Sequence, residues 1–356
     1  MLKWPIRRRI IALLLVVAFI TIALGMTSKL FKSDEIEKVA KQLLNDMNIA
    51  YLNGDEELLK EQYDVDTLYG KWAFEYALKK MEYIKTWSEK QGIEYTDIKS
   101  DYKFTKVSGS DQAFDLTVKS IDQYDYKYKD GDTVANSYSI AVYHYMRIEM
   151  KKDKWVITKD WFSDPMSDSL GIEEEKKPEI KEYINTYQYD NYKLEGRRKD
   201  AVKYADKYSS ALINNSYNDK YRNYNPVGGD CANFASQVLH EGGGFKKNSV
   251  WNYDKGGSLA WIKAYNLTHY LLNSGRGSRI AVGGYESVYQ AAYKLQPGDI
   301  VAYEEKGDIK HVSVITGYDS KGYPLVNCHN VDRHRVPWDL GWNREGIKYW
   351  FVRVHY

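Results

Sequence analysis

Cysteine is nearly absent, with only Cys231 and Cys328 in 356 residues. Two thiols do not make the disulfide framework of a small secreted scaffold, although a single bridge between them stays open. No CxxC, HExxH or comparable ligand spacing occurs, which disfavours a zinc or other metal site. An excess of one charge is missing too: 51 Lys and Arg meet 49 Asp and Glu. Nothing therefore points to nucleic acid or another polyanion held by bulk electrostatics. There is no internal repeat and no low-complexity tract. What is abundant is tyrosine, 33 residues, whose ring and hydroxyl suit wet, sugar-rich or peptide-rich surfaces. Plain surface tyrosine is the commoner explanation.

The length allows about two domains plus appendages. Lys3, Arg7, Arg8 and Arg9 precede an uncharged apolar run from Ile10 to Met26. A basic flank before such a run predicts a membrane-inserting segment over 1–32, an uncleaved anchor in preference to a cleaved signal peptide. On that reading the protein is a single-pass membrane protein with its bulk extracytoplasmic, or is secreted after signal cleavage.

From residue 33 to 165 two helical stretches, one around EIEKVAKQLLNDMNIAYL and one over about Val65–Trp87, precede four alternating segments bounded by turn residues. Helices followed by a curved antiparallel sheet predict an α+β cone, and the order of elements resembles the NTF2-like superfamily. Its only histidine, His144, reads as a strand residue without a catalytic role, so this domain is expected to be a spacer or binding module. Residues 166–194, polar, charged and interrupted by Pro178, read as a linker.

Residues 195–356 carry the chemistry. The stretch NPVGGDCANFASQVLHEGGG places Asp230 as a helix N-cap and Cys231 at the first helical position. There the helix dipole and free N–H groups favour a thiolate, and Phe234, Ala235 and Val238 put the sulfur on the buried stripe. A thiolate needs a base, and histidine serves near neutral pH. His311 opens the second strand of a meander expected over about Asp299–Asn330. With the turn centred on Ser320, His329 on the third strand lies opposite His311 and orients it, with Asn327 on the same face as its competitor. The backbone N–H of Cys231 is a natural oxyanion donor and the Tyr224 side chain a second candidate. Asp299 reads as a turn residue, Cys328 as a small buried hydrophobe, and His240 as a surface or packing residue. Trp251, Trp261, Trp338, Trp342 and Trp350 are core residues by default, with a groove lining as the alternative.

DCANFASQVLHEGG, followed 80 residues after the cysteine by His311 in HVSVITG and preceded there by QPGDIVAY, resembles the amidase domain family of Gram-positive bacteria. That family is similar to the NlpC and CHAP cell-wall hydrolases within the papain-like cysteine peptidases. The resemblance implies a papain-like α+β domain with an antiparallel sheet, Cys231 as nucleophile, His311 as general base and then acid, and a polar third residue, which His329 fits best. It also implies hydrolysis of an amide bond in a cell-wall peptide, with no cofactor. A catalytically silent wall-binding or assembly protein and an acyl transferase using the same thioester are the alternatives. Oligomeric state is left open.

Overall fold

One antiparallel sheet of ten strands runs through both halves of the chain. The computed structural model describes residues 33–110, 112–131, 133–166, 182–184, 186–187 and 194–356. Three helices come first, α1 (33–53), α2 (Glu56–Glu61) and α3 (Leu68–Gln91). The Thr67 side chain accepts from the Gly70 N–H at the start of α3, and Gly92 ends it at φ 70°, so both ends have their orphan backbone groups answered. Four long strands follow in meander order, β1 (Ile93–Ser110), β2 (Ala113–Tyr128), β3 (Asn136–Lys151) and β4 (Lys154–Ser163). Their alternation buries one face against the helices. Within that interior Lys80 sits 2.6 Å from Asp164 and 3.6 Å from Asp122. Burial opposes its charge, but Asp164, Tyr124 and Asp122 outweigh burial and hold its pKa well above the usual lysine range.

The second half contributes α4 (Gly196–Lys207), α5 (Cys231–Gln237, followed by a π turn), α6 (Leu259–Ile262), α7 (Ala264–Asn273) and α8 (Tyr285–Ala292). Its strands are β5 (Gly277–Gly283), β6 (Ile300–Glu305), β7 (Asp308–Tyr318), β8 (Pro324–Cys328), β9 (Arg333–Pro337) and β10 (Ile347–Val354). The order across the sheet is β1-β2-β3-β9-β8-β7-β6-β10-β5, with β4 paired to the other part of β3. Ile300, Ala302, Val312 and Val314 point to the α4, α5 and α7 layer. Val301, Tyr303, Ile315 and Tyr349 point the other way and join the core of the first half.

The expected fold class is therefore corrected. Instead of an α+β cone and a papain-like α+β domain, the described residues form a large antiparallel sheet with few helices. The cause is the length of β3. Its partner β4 covers only Tyr143–Lys151, which leaves an open edge that β9 takes through Ser139↔His334 and Ile140↔Arg333. The Ala141 N–H donates to the Asp332 carbonyl at 2.9 Å and extends the pairing. An uncovered edge offers a row of unmet backbone groups, so the pairing satisfies both partners. Side chains reinforce the joint. The Tyr83 hydroxyl donates to Asn343 Oδ1 and accepts from the Gly341 N–H, both at 2.7 Å, and Tyr126 and Tyr128 donate to Asp319 Oδ2 at 3.1 and 2.7 Å. Gly341, at φ +78°, approaches Pro165 so closely that a Cβ would lie 2.5 Å from the proline Cβ.

Two further expectations change. Many tyrosines are core residues and not surface ones: Tyr83, Tyr124, Tyr126, Tyr128, Tyr138, Tyr303, Tyr323 and Tyr349 are fully buried. The expected single-pass membrane protein is not retained, because no helix among the described residues is long and apolar enough to cross a membrane. The Ile10–Met26 run that motivated it lies outside the described residues, as does most of the expected linker.

Replacing Tyr83 by Phe strands a buried carboxamide oxygen and a backbone N–H, at a cost of about 1–3 kcal/mol. Urea unfolding followed by tryptophan fluorescence and far-UV circular dichroism should show that loss within one shared transition. Two separate transitions in the parent protein would contradict the continuous sheet.

Candidate active site

The chain enters α5 through Gly228 and Gly229 at φ 120° and 105°, where Gly229 packs so near Asn330 that a Cβ would meet its Nδ2 at 3.0 Å. Asp230 follows at φ −114°, ψ 4°, and its side chain does not cap the helix. Capping needs an extended N-cap residue, and this ψ turns the carboxylate elsewhere. Its Oδ1 accepts from the Tyr224 N–H at 2.9 Å and Asn233 Nδ2 at 2.8 Å, while Oδ2 meets His329 Nδ1 at 2.7 Å. All seven residues of α5 are buried, and its polar members are answered in kind. Asn233 Oδ1 accepts from Trp261 Nε1, Ser236 from Trp251 Nε1, and Gln237 from the Tyr204 hydroxyl. Trp251 and Trp261 are thus core residues, as their type predicts.

Cys231 begins this helix and is 7% exposed. The expected thiolate is not favoured: burial pushes the thiol up to about 12. The N–H groups of Val312 and Ala232 face the sulfur and pull the other way, while Cys328 and Asp230 add to the rise. A seven-residue helix supplies too little field to overcome desolvation.

Val312 places the sulfur on the sheet. Strands β7 and β8 pair only from Val314↔Asn327 onward, so the strand edge at Val312 is open toward Cys231. His311 is the preceding residue and, by alternation, points to the opposite face. It pairs across the sheet with Tyr303. Its ring lies 5.3 Å from Trp342, nearly parallel, and 5.5 Å from Tyr303. Burial, then the nearby Arg333, holds its pKa well below the usual imidazole range. Its Nε2 has no hydrogen-bond partner among the described residues. Sulfur and imidazole thus flank one stretch of β7 from opposite faces, and no hydrogen bond joins them.

The other expected site residues are engaged elsewhere. The hairpin does not centre on Ser320: a bulge between Ile315 and Gly317 shifts the register by one residue, and such a slip exchanges the faces of a strand. Asn327 therefore faces the helix layer, where it accepts from Thr316 and donates to Asp206. His329 lies past the end of β8, fully buried, with Nε2 on the Tyr208 carbonyl at 2.9 Å and Nδ1 on Asp230. Its ring is sandwiched between Tyr217 at 3.7 Å and Phe234 at 4.0 Å. The Tyr224 hydroxyl donates to the Gly256 carbonyl. Cys328 is buried and free, Asp299 is held by Arg198 and Arg353, and His240 Nδ1 meets the Phe245 carbonyl.

Residues 195–352 match the family model described as "Putative amidase domain". This match, over less than half of the chain, supports an amidase-domain family for that part. "Uncharacterized protein YhbB" of Bacillus subtilis (strain 168) is 29% identical over 178 residues, 46% of this chain and 49% of that one. The chain thus spans about half the length of this curated relative. Two solved structures are similar over 36% of the chain: the intermembrane space region of the chloroplast protein ARC6, 94% covered at 12% identity and TM-score 0.25, and an NTF-2 like protein from Shewanella oneidensis MR-1, 98% covered at 17% identity and TM-score 0.21.

Sequence reasoning missed Arg333, the Val312 N–H and the stacking of Trp342 on His311. Only the tryptophan carried a signal, as one of five set down to the core. Among the described residues no three His, Cys, Asp or Glu side chains gather as a metal-binding set.

These shifts make stability pH-dependent at both ends. Cys231 is raised from 9.0 on folding, so unfolding releases a proton and stability falls as pH rises above about 9. His311 is depressed from 6.5, so unfolding takes up a proton and stability falls as pH drops below about 6.5. Each slope reaches at most about 1.4 kcal/mol per pH unit per group. Urea midpoints across pH 5–10 should show the alkaline slope reduced in Cys231→Ala and the acid slope reduced in His311→Phe. Unchanged slopes would contradict the burial of these groups.

Proposed function

We propose that residues 195–352 hydrolyse an amide bond through a thioester on Cys231, with His311 as general base and then acid, and with cell-wall peptides as the substrate class. One observation carries this reading: the Cys231 sulfur faces the N–H of Val312, the residue next to a buried histidine whose Nε2 is unpartnered. A depressed pKa keeps that imidazole neutral near pH 7 and able to take a proton. The thiol is protonated at rest and no hydrogen bond joins it to His311, so this reading requires the imidazole to turn past the open edge of β7 and take the proton as the sulfur bonds to the carbonyl carbon. The C–N bond then breaks, and the amine leaves with the proton from His311. Water attacks the thioester, giving up a proton to the imidazole. The C–S bond breaks, the acid is released, and the imidazolium proton returns to the sulfur. The N–H groups of Val312 and Ala232, aimed at the sulfur, steady the negative charge it carries as its proton leaves.

His329 acts here through Asp230 as a positioning residue, fixing the turn into α5. Asn327 and Tyr224 hold neighbouring backbone and side chains. The opposite-face placement of Cys231 and His311 favours a second reading, a catalytically silent wall-binding protein that keeps the domain.

Incubating the protein with peptidoglycan fragments beside Cys231→Ala and His311→Ala, with products identified by mass spectrometry, separates the two. The enzyme reading expects new amine and carboxyl ends from the parent protein and at least a hundredfold less from either variant. Equal product from Cys231→Ala would reject the cysteine mechanism, and no product from any of the three would leave the silent reading.

A further inference from the structure

The face of β1–β4 that points away from the helices carries large aromatic side chains in the open. Trp161 is 73% exposed, Tyr145 55% and Tyr143 42%. The register sets Trp161 beside Tyr145 on neighbouring strands, and Tyr143 follows two residues along on the same face, about 7 Å away. Lys159 of β4 reaches round to α3, its ammonium 5.9 Å from the Tyr69 ring, against which the exposed Trp72 packs edge-on. A folded protein leaves so much aromatic area in water where something is meant to cover it.

At its other end the band runs into a groove of about 460 Å³. Tyr143, Lys119 and Lys103 form one wall, and Asn215, Ser216 and Asn218, from the segment before α5, form the other. Across β1–β3 the rows read Tyr143, Lys119, Lys103 and Tyr145, Thr117, Lys106. Among the described residues neither Lys103 nor Lys106 has a carboxylate within ion-pair distance, whereas Arg147 on the next row is paired with Asp115 and Glu149. Flat rings, a wall of amides and hydroxyls and uncompensated ammonium groups form a surface for a ligand with apolar ring faces, many hydroxyls and some carboxylates.

We infer that this face binds a glycan strand bearing carboxylates, its sugar rings stacked on Trp161, Tyr145 and Tyr143, its acid groups on Lys103 and Lys106, and its far end laid in the groove. The groove leads toward the candidate active site. Its lining residue Tyr217 stacks on His329, which holds Asp230 beside Cys231. The first half is then a substrate-holding wall and not a spacer. This inference shares the cell-wall substrate class with the preceding proposal but none of its chemistry.

Binding is therefore measured with the full-length Cys231→Ala protein, so that loss of catalysis cannot pass for loss of binding. The probes are peptide-free peptidoglycan glycan strands, whose lactyl groups carry carboxylates, and neutral chitohexaose. The strands should bind, with affinity at least tenfold lower in Trp161→Ala/Tyr145→Ala. Lys103→Glu/Lys106→Glu should weaken the acidic strands and leave chitohexaose unchanged. All four positions are exposed, and circular dichroism checks that the variants fold. No binding of the strands, or equal binding by the aromatic double variant, would overturn the inference. So would a dimer that sedimentation shows in the parent and not in the aromatic double variant, because the face would then belong to a second copy.

Discussion

The structure depends on the edge of β3 that β4 leaves open. Once β9 pairs there, the two halves share one ladder, and the face of the second half that would otherwise meet solvent becomes interior. Tyr303, Trp338 and Tyr349 pack into the same core as Tyr83, Trp87 and Tyr138. Polar groups follow the rings inward, and each needs a partner in a place water does not reach. Asp319 shows the consequence: four donors, the Tyr126 and Tyr128 hydroxyls and the N–H groups of Lys321 and Tyr323, converge on it. Burial still raises its pKa to about 6.

The same joint sets the electrostatics of the candidate site. His311 lies on the face that β3–β9 pairing closes, which is why desolvation dominates its protonation. Cys231 lies in the helix layer, buried in the core cluster against the sheet, and desolvation dominates there too. Both groups are consequently neutral at rest, a thiol and an imidazole. A resting ion pair would need solvent or counter-charge that this interior does not offer. The chemistry proposed for the pair moves a proton only as the carbon–sulfur bond forms.

Much of this was legible in the sequence, and the misses have physical causes. The α5 helix, the meander of β6 to β8 and the four long strands were readable because hydrophobic period and turn residues are local signals. Placing His329 opposite His311 failed because a bulge at Thr316 leaves no mark in an alternating pattern, yet one residue of slip reverses a face. The Asp230 cap failed because composition alone does not reveal ψ. The continuous sheet was not foreseen because an edge pairing of two residues has no periodicity at all. Tyrosine was set at the surface by its hydroxyl, whereas here Asp319 receives Tyr126 and Tyr128 from the other half, Asn343 receives Tyr83, and the Trp338 and Trp342 carbonyls receive Tyr303 and Tyr349.

The central claim is that the register of β7 brings the Val312 N–H onto the Cys231 sulfur and leaves His311 on the opposite face. Nuclear Overhauser contacts in the folded protein test it most directly. The account predicts cross-peaks from the Val312 amide proton to the Cys231 β-protons, and from the His311 ring protons to those of Trp342. Cross-peaks from the Ser313 amide to Cys231, with the His311 ring instead close to residues of α5, would place the strand one residue out of register and contradict the account.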